Sequence, residues 1–74
     1  MPKLPVISGE KCRKALEKAG YSKQHQKGSH LKMVKSGCVP ISIPMRDELD
    51  TGTLRAIIKE ANLTVHEFIS LLNK

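Results

Sequence analysis

The chain predicts an α+β domain in the order α-β-β-β-α-α, a three-stranded antiparallel sheet with its helices gathered on one face. Three stretches carry that prediction. Cys12, Ala15, Leu16 and Ala19 recur at helical spacing. Residues 21–44 then switch to short alternating runs broken at Gly28-Ser29 and Ser36-Gly37. Finally, Thr64 and Glu67 form a capping-box pair ahead of an apolar run.

Residues 1–7 carry two prolines, Pro2 and Pro5, and read as an extended lead-in. Ser8 caps the first helix, Ile7 and Cys12 flank the cap as a hydrophobic staple, and Gly20 ends the helix at the C′ position. Lys11, Arg13, Lys14, Glu17 and Lys18 remain on its outer side, a solvated face with enough cations to meet phosphate.

Three strands follow, over about 21–26, 30–34 and 38–44. Val39, Ile41 and Ile43 share one face of the third, Leu31 and Met33 share one face of the second, and both faces should look into the core. A two-residue Ser36-Gly37 connection would turn His30 and Lys32 inward. A three-residue loop, Lys35-Ser36-Gly37, pairs Met33 with Val39 and Leu31 with Ile41, and gives Gly37 the positive φ of a G1 bulge. With that register His30 and Lys32 project away from the helices, His30 across from Ser42. Pro40 and Pro44 mark the third strand as an edge.

Asp50 or Thr51 caps the second helix, whose buried stripe is Leu54, Ile57, Ile58 and Ala61 and which Asn62 closes. The last helix follows the Thr64–Glu67 box, with Leu63 and Phe68 as its staple and Val65, Phe68, Ile69 and Leu72 as its apolar face.

Seventy-four residues make one domain, 1–74, with no room for a second domain or a large internal cavity. Thirteen Lys and Arg oppose seven Asp and Glu, a formal net charge of +6, so a polyanion is the expected partner. Nucleic acid fits better than an anionic membrane surface. There is no basic amphipathic helix with an apolar anchor, and no run approaches the roughly 20 apolar residues of a membrane span. The opening residues lack the apolar run of a signal peptide, so a cytoplasmic protein is expected. Cys12 and Cys38, the only cysteines, have no CxxC spacing and suggest neither zinc nor a disulfide framework, only half-buried thiols in a reducing compartment. Asp47, Glu48 and Asp50 lack a spaced histidine, so capping and solvation are their expected uses and no metal or cofactor is implied.

The candidate chemistry gathers at Gln26-Lys27-Gly28-Ser29-His30. Gly-Ser supplies a tight turn, and the imidazole after it can accept or donate a proton near neutral pH. Flanked by Lys27 and Lys32 on a solvated face, a neutral His30 could take the proton from a ribose 2′-hydroxyl, while the cations stabilise charge developing on phosphorus. Such a histidine is otherwise surface decoration. His25 invites a two-histidine site, but a regular first strand with Tyr21 in the core puts His25 on Tyr21's face, away from His30. Only a bulge or twist near Gln24 would bring the two together. His66, in the first turn of the last helix, is expected in solvent.

Taken together, Pro5-Val6-Ile7-Ser8-Gly9, Ala19-Gly20-Tyr21, Gln26-Lys27-Gly28-Ser29-His30, Ile43-Pro44, Gly52-Thr53-Leu54-Arg55 and Leu63-Thr64-Val65-His66-Glu67-Phe68 resemble the HicA (YcfA-like) toxins over nearly the whole chain. The resemblance implies a double-stranded-RNA-binding-domain-like fold and an mRNA interferase, an endoribonuclease that arrests translation and is neutralised by a HicB antitoxin. The family's catalytic histidine in Gly-Ser-His maps onto His30. The chain departs from the family's usual pattern with His25 in place of arginine, Arg46 in place of histidine, and Asp50-Thr51 in place of basic residues.

The resulting expectation is a metal-independent endoribonuclease toxin. His30 is catalytic, Gly28 and Ser29 shape the turn, and Lys27, Lys32 and Arg46 are phosphate contacts. The alternative is a non-catalytic RNA-binding module on the same basic face. A third reading, a face that meets an acidic protein, predicts no salt-sensitive RNA binding.

Overall fold

The computed structural model describes residues 4–74. It contains α1 (Gly9–Lys18), β1 (Ser22–Lys27), β2 (His30–Val34), β3 (Ile41–Pro44), α2 (Thr51–Glu60) and α3 (Val65–Leu72). The strands form one antiparallel sheet in the order β1-β2-β3. Of the extended lead-in expected over residues 1–7, Met1–Lys3 lie outside the described residues, and residues 4–8 adopt no regular secondary structure.

One face of the sheet builds the core. Leu31 and Met33 from β2 and Ile41 and Ile43 from β3 are fully buried, as are Cys12 and Leu16 of α1, Leu54 of α2 and Phe68 of α3. Full burial of each large aliphatic or aromatic side chain contributes about 1.5–3 kcal/mol, so this cluster is the main reason the layers hold together. Among the described residues no helix covers the opposite sheet face, where His30, Lys32 and Ser42 are all exposed.

The helix ends follow from local chemistry. The Ser8 hydroxyl accepts the Lys11 amide at 3.2 Å. At the other end Gly20, with φ +105°, donates to Glu17 while Tyr21 donates to Leu16, a Schellman closure. Asn62, with φ +59°, closes α2 in the same way, donating to Lys59 while Leu63 donates to Ile58. Asp50 is the N-cap of α2 but makes no side-chain cap bond, whereas the Thr64–Glu67 capping box of α3 is complete. On the outer face of α1, Arg13 pairs with both Glu10 and Glu17.

The third strand differs from expectation. It spans only Ile41–Pro44, Val39 is 68% exposed, and the register is displaced by two: Met33 faces Ile41, Leu31 faces Ile43, Lys32 faces Ser42 and His30 faces Pro44. The cause lies in the connection. Cys38 donates to the Lys35 carbonyl at 3.0 Å, closing a β-turn across Ser36 and Gly37, and Gly37 takes its positive φ of +79° there instead of in a hairpin bulge. Pro40, which has no amide hydrogen, keeps the chain off the ladder until Ile41. Because side chains alternate with a period of two, this displacement leaves every paired residue on its expected face; Val39, expected in the core, is off the ladder and exposed.

Candidate active site

The β1–β2 turn is a two-residue loop, Gly28-Ser29, closed by the pair Lys27 and His30. Gly28 has φ +59° and Ser29 does not share the positive sign, the pattern of a type II′ hairpin turn. A Cβ at Gly28 would meet nothing within 4 Å, so glycine is needed there for backbone conformation and not for space. The Gln26 side-chain amide donates to the Gly28 carbonyl at 3.0 Å, and the Ser29 carbonyl accepts the Met45 amide at 2.6 Å. The turn that delivers His30 is thus tied both to its own strand and to the segment after β3.

Counting back from this turn changes the reading of β1. Lys27 faces His30, Gln26 faces Leu31 and His25 faces Lys32, after which the register shifts so that Lys23 faces Met33. Gln24 is the extra residue of a β-bulge, and the first strand is not regular as expected. The bulge reconciles two demands of opposite parity, since Tyr21 is 3% exposed in the core while the Gly28-Ser29 turn forces His25 outward. That conflict was the available sequence signal for the bulge. Counting forward from Tyr21 puts His25 inward and counting back from the turn puts it outward; with Gln24 bulged, the first count holds as far as Lys23 and the second holds for His25.

His25 and Lys27 from β1, His30 and Lys32 from β2, and Pro40, Ile41 and Ser42 at the β3 edge line one shallow groove of about 210 Å³. The structure therefore brings together His30, Lys27 and Lys32, adds His25 and Ser42, and leaves Arg46 outside the groove. Arg46 follows Met45 in the segment pinned to Ser29, and its side chain is exposed. His66 is exposed on α3. A larger concavity of about 550 Å³ lies in the helical layer between α1, α3 and residues 5–7. It is lined by Lys11, Lys14 and Lys18 and by no histidine, whereas His25 and His30 both line the groove on the sheet face.

Cys12 is more buried than the half-buried thiol expected. Its exposure is 0%, and desolvation pushes the thiol up to about 12, whereas Cys38 is half-buried. Among the described residues no group of three or more His, Cys, Asp or Glu comes together as a metal-ligand set, and no helix is long and apolar enough to cross a membrane.

Fold and face together define a small basic α+β domain with one sheet face packed under helices and the other open to solvent. The family model for the HicA toxin of bacterial toxin–antitoxin systems matches residues 9–63, and the chain belongs to that family of toxins. A chain in a toxin–antitoxin complex from Streptococcus pneumoniae is 40% identical, with a TM-score of 0.71, over 77% of this chain and 98% of that one. No curated protein matches.

Proposed function

We propose that this toxin is an mRNA interferase, a metal-independent endoribonuclease of the cytoplasm that arrests translation by cutting mRNA on its open sheet face. The observation that carries the reading is the placement of His30: exposed, at the first position of β2, in a groove it shares with Lys27 and Lys32. Neutral imidazole at that position takes the proton from a ribose 2′-hydroxyl, and the freed oxygen attacks the adjacent phosphodiester. Lys27 and Lys32 draw the phosphate in and offset the charge that grows on its oxygens. Arg46, beyond the groove, holds a neighbouring phosphate and so fixes the strand's path.

Specific inhibition calls for a partner that covers this face. A HicB-like antitoxin is the partner of this toxin, acidic where it meets the lysines; the Streptococcus pneumoniae relative was solved in a toxin–antitoxin complex. A complex that leaves His30 open to solvent would contradict that assignment.

Inducible expression of the wild type and of His30→Ala, with growth followed and 5′ ends mapped on a reporter mRNA, tests the core of the reading. Growth arrest and new ends should both vanish in the variant while its circular dichroism stays that of the wild type. Purified wild type should cleave equally well in EDTA, and His30→Ala should lose about 10²–10⁴ in rate, the usual worth of a general base. Cleavage that survives His30→Ala would remove His30 from the chemistry. Harmless expression of folded wild type would favour the non-catalytic RNA-binding module.

A further inference from the structure

We infer that His25 is the second catalytic residue of this face, the proton donor to the leaving 5′-oxygen; the inference rests on the nuclease reading above. The reaction itself asks for such a group. As the 2′-oxygen–phosphorus bond forms and the phosphorus–5′-oxygen bond breaks, the 2′-hydroxyl proton passes to His30 and the departing oxygen must gain one. The products are a 2′,3′-cyclic phosphate and a 5′-hydroxyl, with no water or redox partner consumed.

The groove presents few candidates. Lys27 on β1 and Lys32 on β2 are its charged groups besides the histidines, and the third side contributes only Ile41 and Ser42 of β3 and Pro40 just before it. A lysine ammonium and a serine hydroxyl are both far weaker acids than an imidazolium. His25 is the group left. It faces Lys32 while His30 faces Lys27, so the two imidazoles are diagonal neighbours across the β1–β2 ladder. Diagonal positions on one sheet face lie about 7–8 Å apart at the backbone, within mutual reach of aromatic side chains, so two rings can approach a phosphate from opposite sides. A lysine stands directly across from each ring, placed for the non-bridging oxygens.

The bulge at Gln24 is what permits the pair. It re-aims the strand so that Tyr21 stays in the core while His25 joins His30, a recognised use of bulges beside active sites. Both rings are exposed, so the protons exchanged in one turnover are restored from solvent before the next.

The test compares two short oligoribonucleotides spanning a site mapped on the reporter mRNA, one natural and one with sulfur bridging at the scissile 5′ position. A thiolate leaves without being protonated. His25→Ala should lose about 10²–10⁴ on the natural RNA and recover to near the wild-type rate on the sulfur substrate, while His30→Ala stays slow on both. The wild-type pH–rate profile should be bell-shaped, and His25→Ala should lose the alkaline fall. The role of His25 is overturned by equal losses on the two substrates, by no loss on either, or by sulfur rescue of His30→Ala instead. In each of those cases wild-type cleavage leaves the nuclease reading standing. Wild type that cleaves neither RNA overturns both. His25→Gln, checked by circular dichroism, separates lost chemistry from lost structure.

Discussion

Replacing Gly9 with alanine sets a helix preference against a steric contact, and the structure decides which prevails. In an unconstrained helix the change is favourable by up to about 1 kcal/mol. Here α1 begins against the end of the sheet. A Cβ on Gly9 would lie 2.5 Å from the Pro44 carbonyl oxygen and 2.9 Å from the Met45 Cα, both backbone atoms with no rotamer to escape into. Nor can the helix retreat freely, because the Gly9 amide donates to the Arg46 carbonyl at 2.9 Å. Overpacking of this kind costs about 1–3 kcal/mol, and stretching the hydrogen bond adds about 0.5–1.5 kcal/mol. After the helix preference is subtracted, Gly9→Ala should destabilise by about 0.5–3.5 kcal/mol, a fall in Tm of about 2–28 °C for a domain of this size. Gly52 supplies the control. It lies in the first turn of α2, where the nearest neighbour of a Cβ is the flexible Asp50 carboxylate at 3.7 Å. Gly52→Ala should therefore leave Tm unchanged or raise it. Thermal unfolding followed by circular dichroism, on a His30→Ala background that spares the host, reads both. A Gly9→Ala protein as stable as its parent, or two glycine variants shifting the same way, would refute the reasoning.

Four further outcomes are expected. Gly28→Ala should cost about 1–2 kcal/mol in urea unfolding, from left-handed backbone strain alone, and Gly28→Asn should cost less. The thiol reagent DTNB should modify one cysteine, Cys38, in the native protein and two after unfolding, because Cys12 is buried with its thiol pushed up to about 12. Since that folded value lies above the ordinary 9.0, the contribution of the buried neutral thiol is whole below 9.0 and is lost as pH climbs toward about 12. Cys12→Ala should accordingly flatten part of the alkaline loss of stability measured by urea unfolding. Affinity for single-stranded RNA should fall with salt, and Lys32→Ala should reduce the log–log slope by about 0.7, the share of one phosphate contact.

The helices were legible because their signals are local. Ser8, Gly20, Asn62 and the Thr64–Glu67 box each act within a few residues of their own position, and each acts as its residue type prescribes. The strand pairing was less so. Val39 looks like a core residue by alternation, yet a turn closed by Cys38 and a proline at 40 keep it off the ladder. The outward face of His30 survived that error because a slip of two preserves sidedness. His25 was misplaced because alternation was counted from one end of β1 only, and a bulge is visible only where two long-range anchors, Tyr21 in the core and the Gly28-Ser29 turn, are made to agree. The separation of Arg46 from the groove depends on the path of an irregular segment, which no periodicity encodes.

That segment, residues 45–49, has a consequence for motion. It has no regular secondary structure, yet the Met45 amide is held by Ser29, the Leu49 amide by Ile7, and the Arg46 carbonyl by Gly9. Hydrogen exchange should find the amides of Gly9, Met45 and Leu49 nearly as slow as those in mid-helix, because the segment is anchored to two distant parts of the chain, residues 7–9 and Ser29, that release together. The turn that carries His30 is one of those anchors. It should open only when the whole domain opens, so on the proposed nuclease reading the conformational cost of ordering the site is met during folding and not on RNA binding.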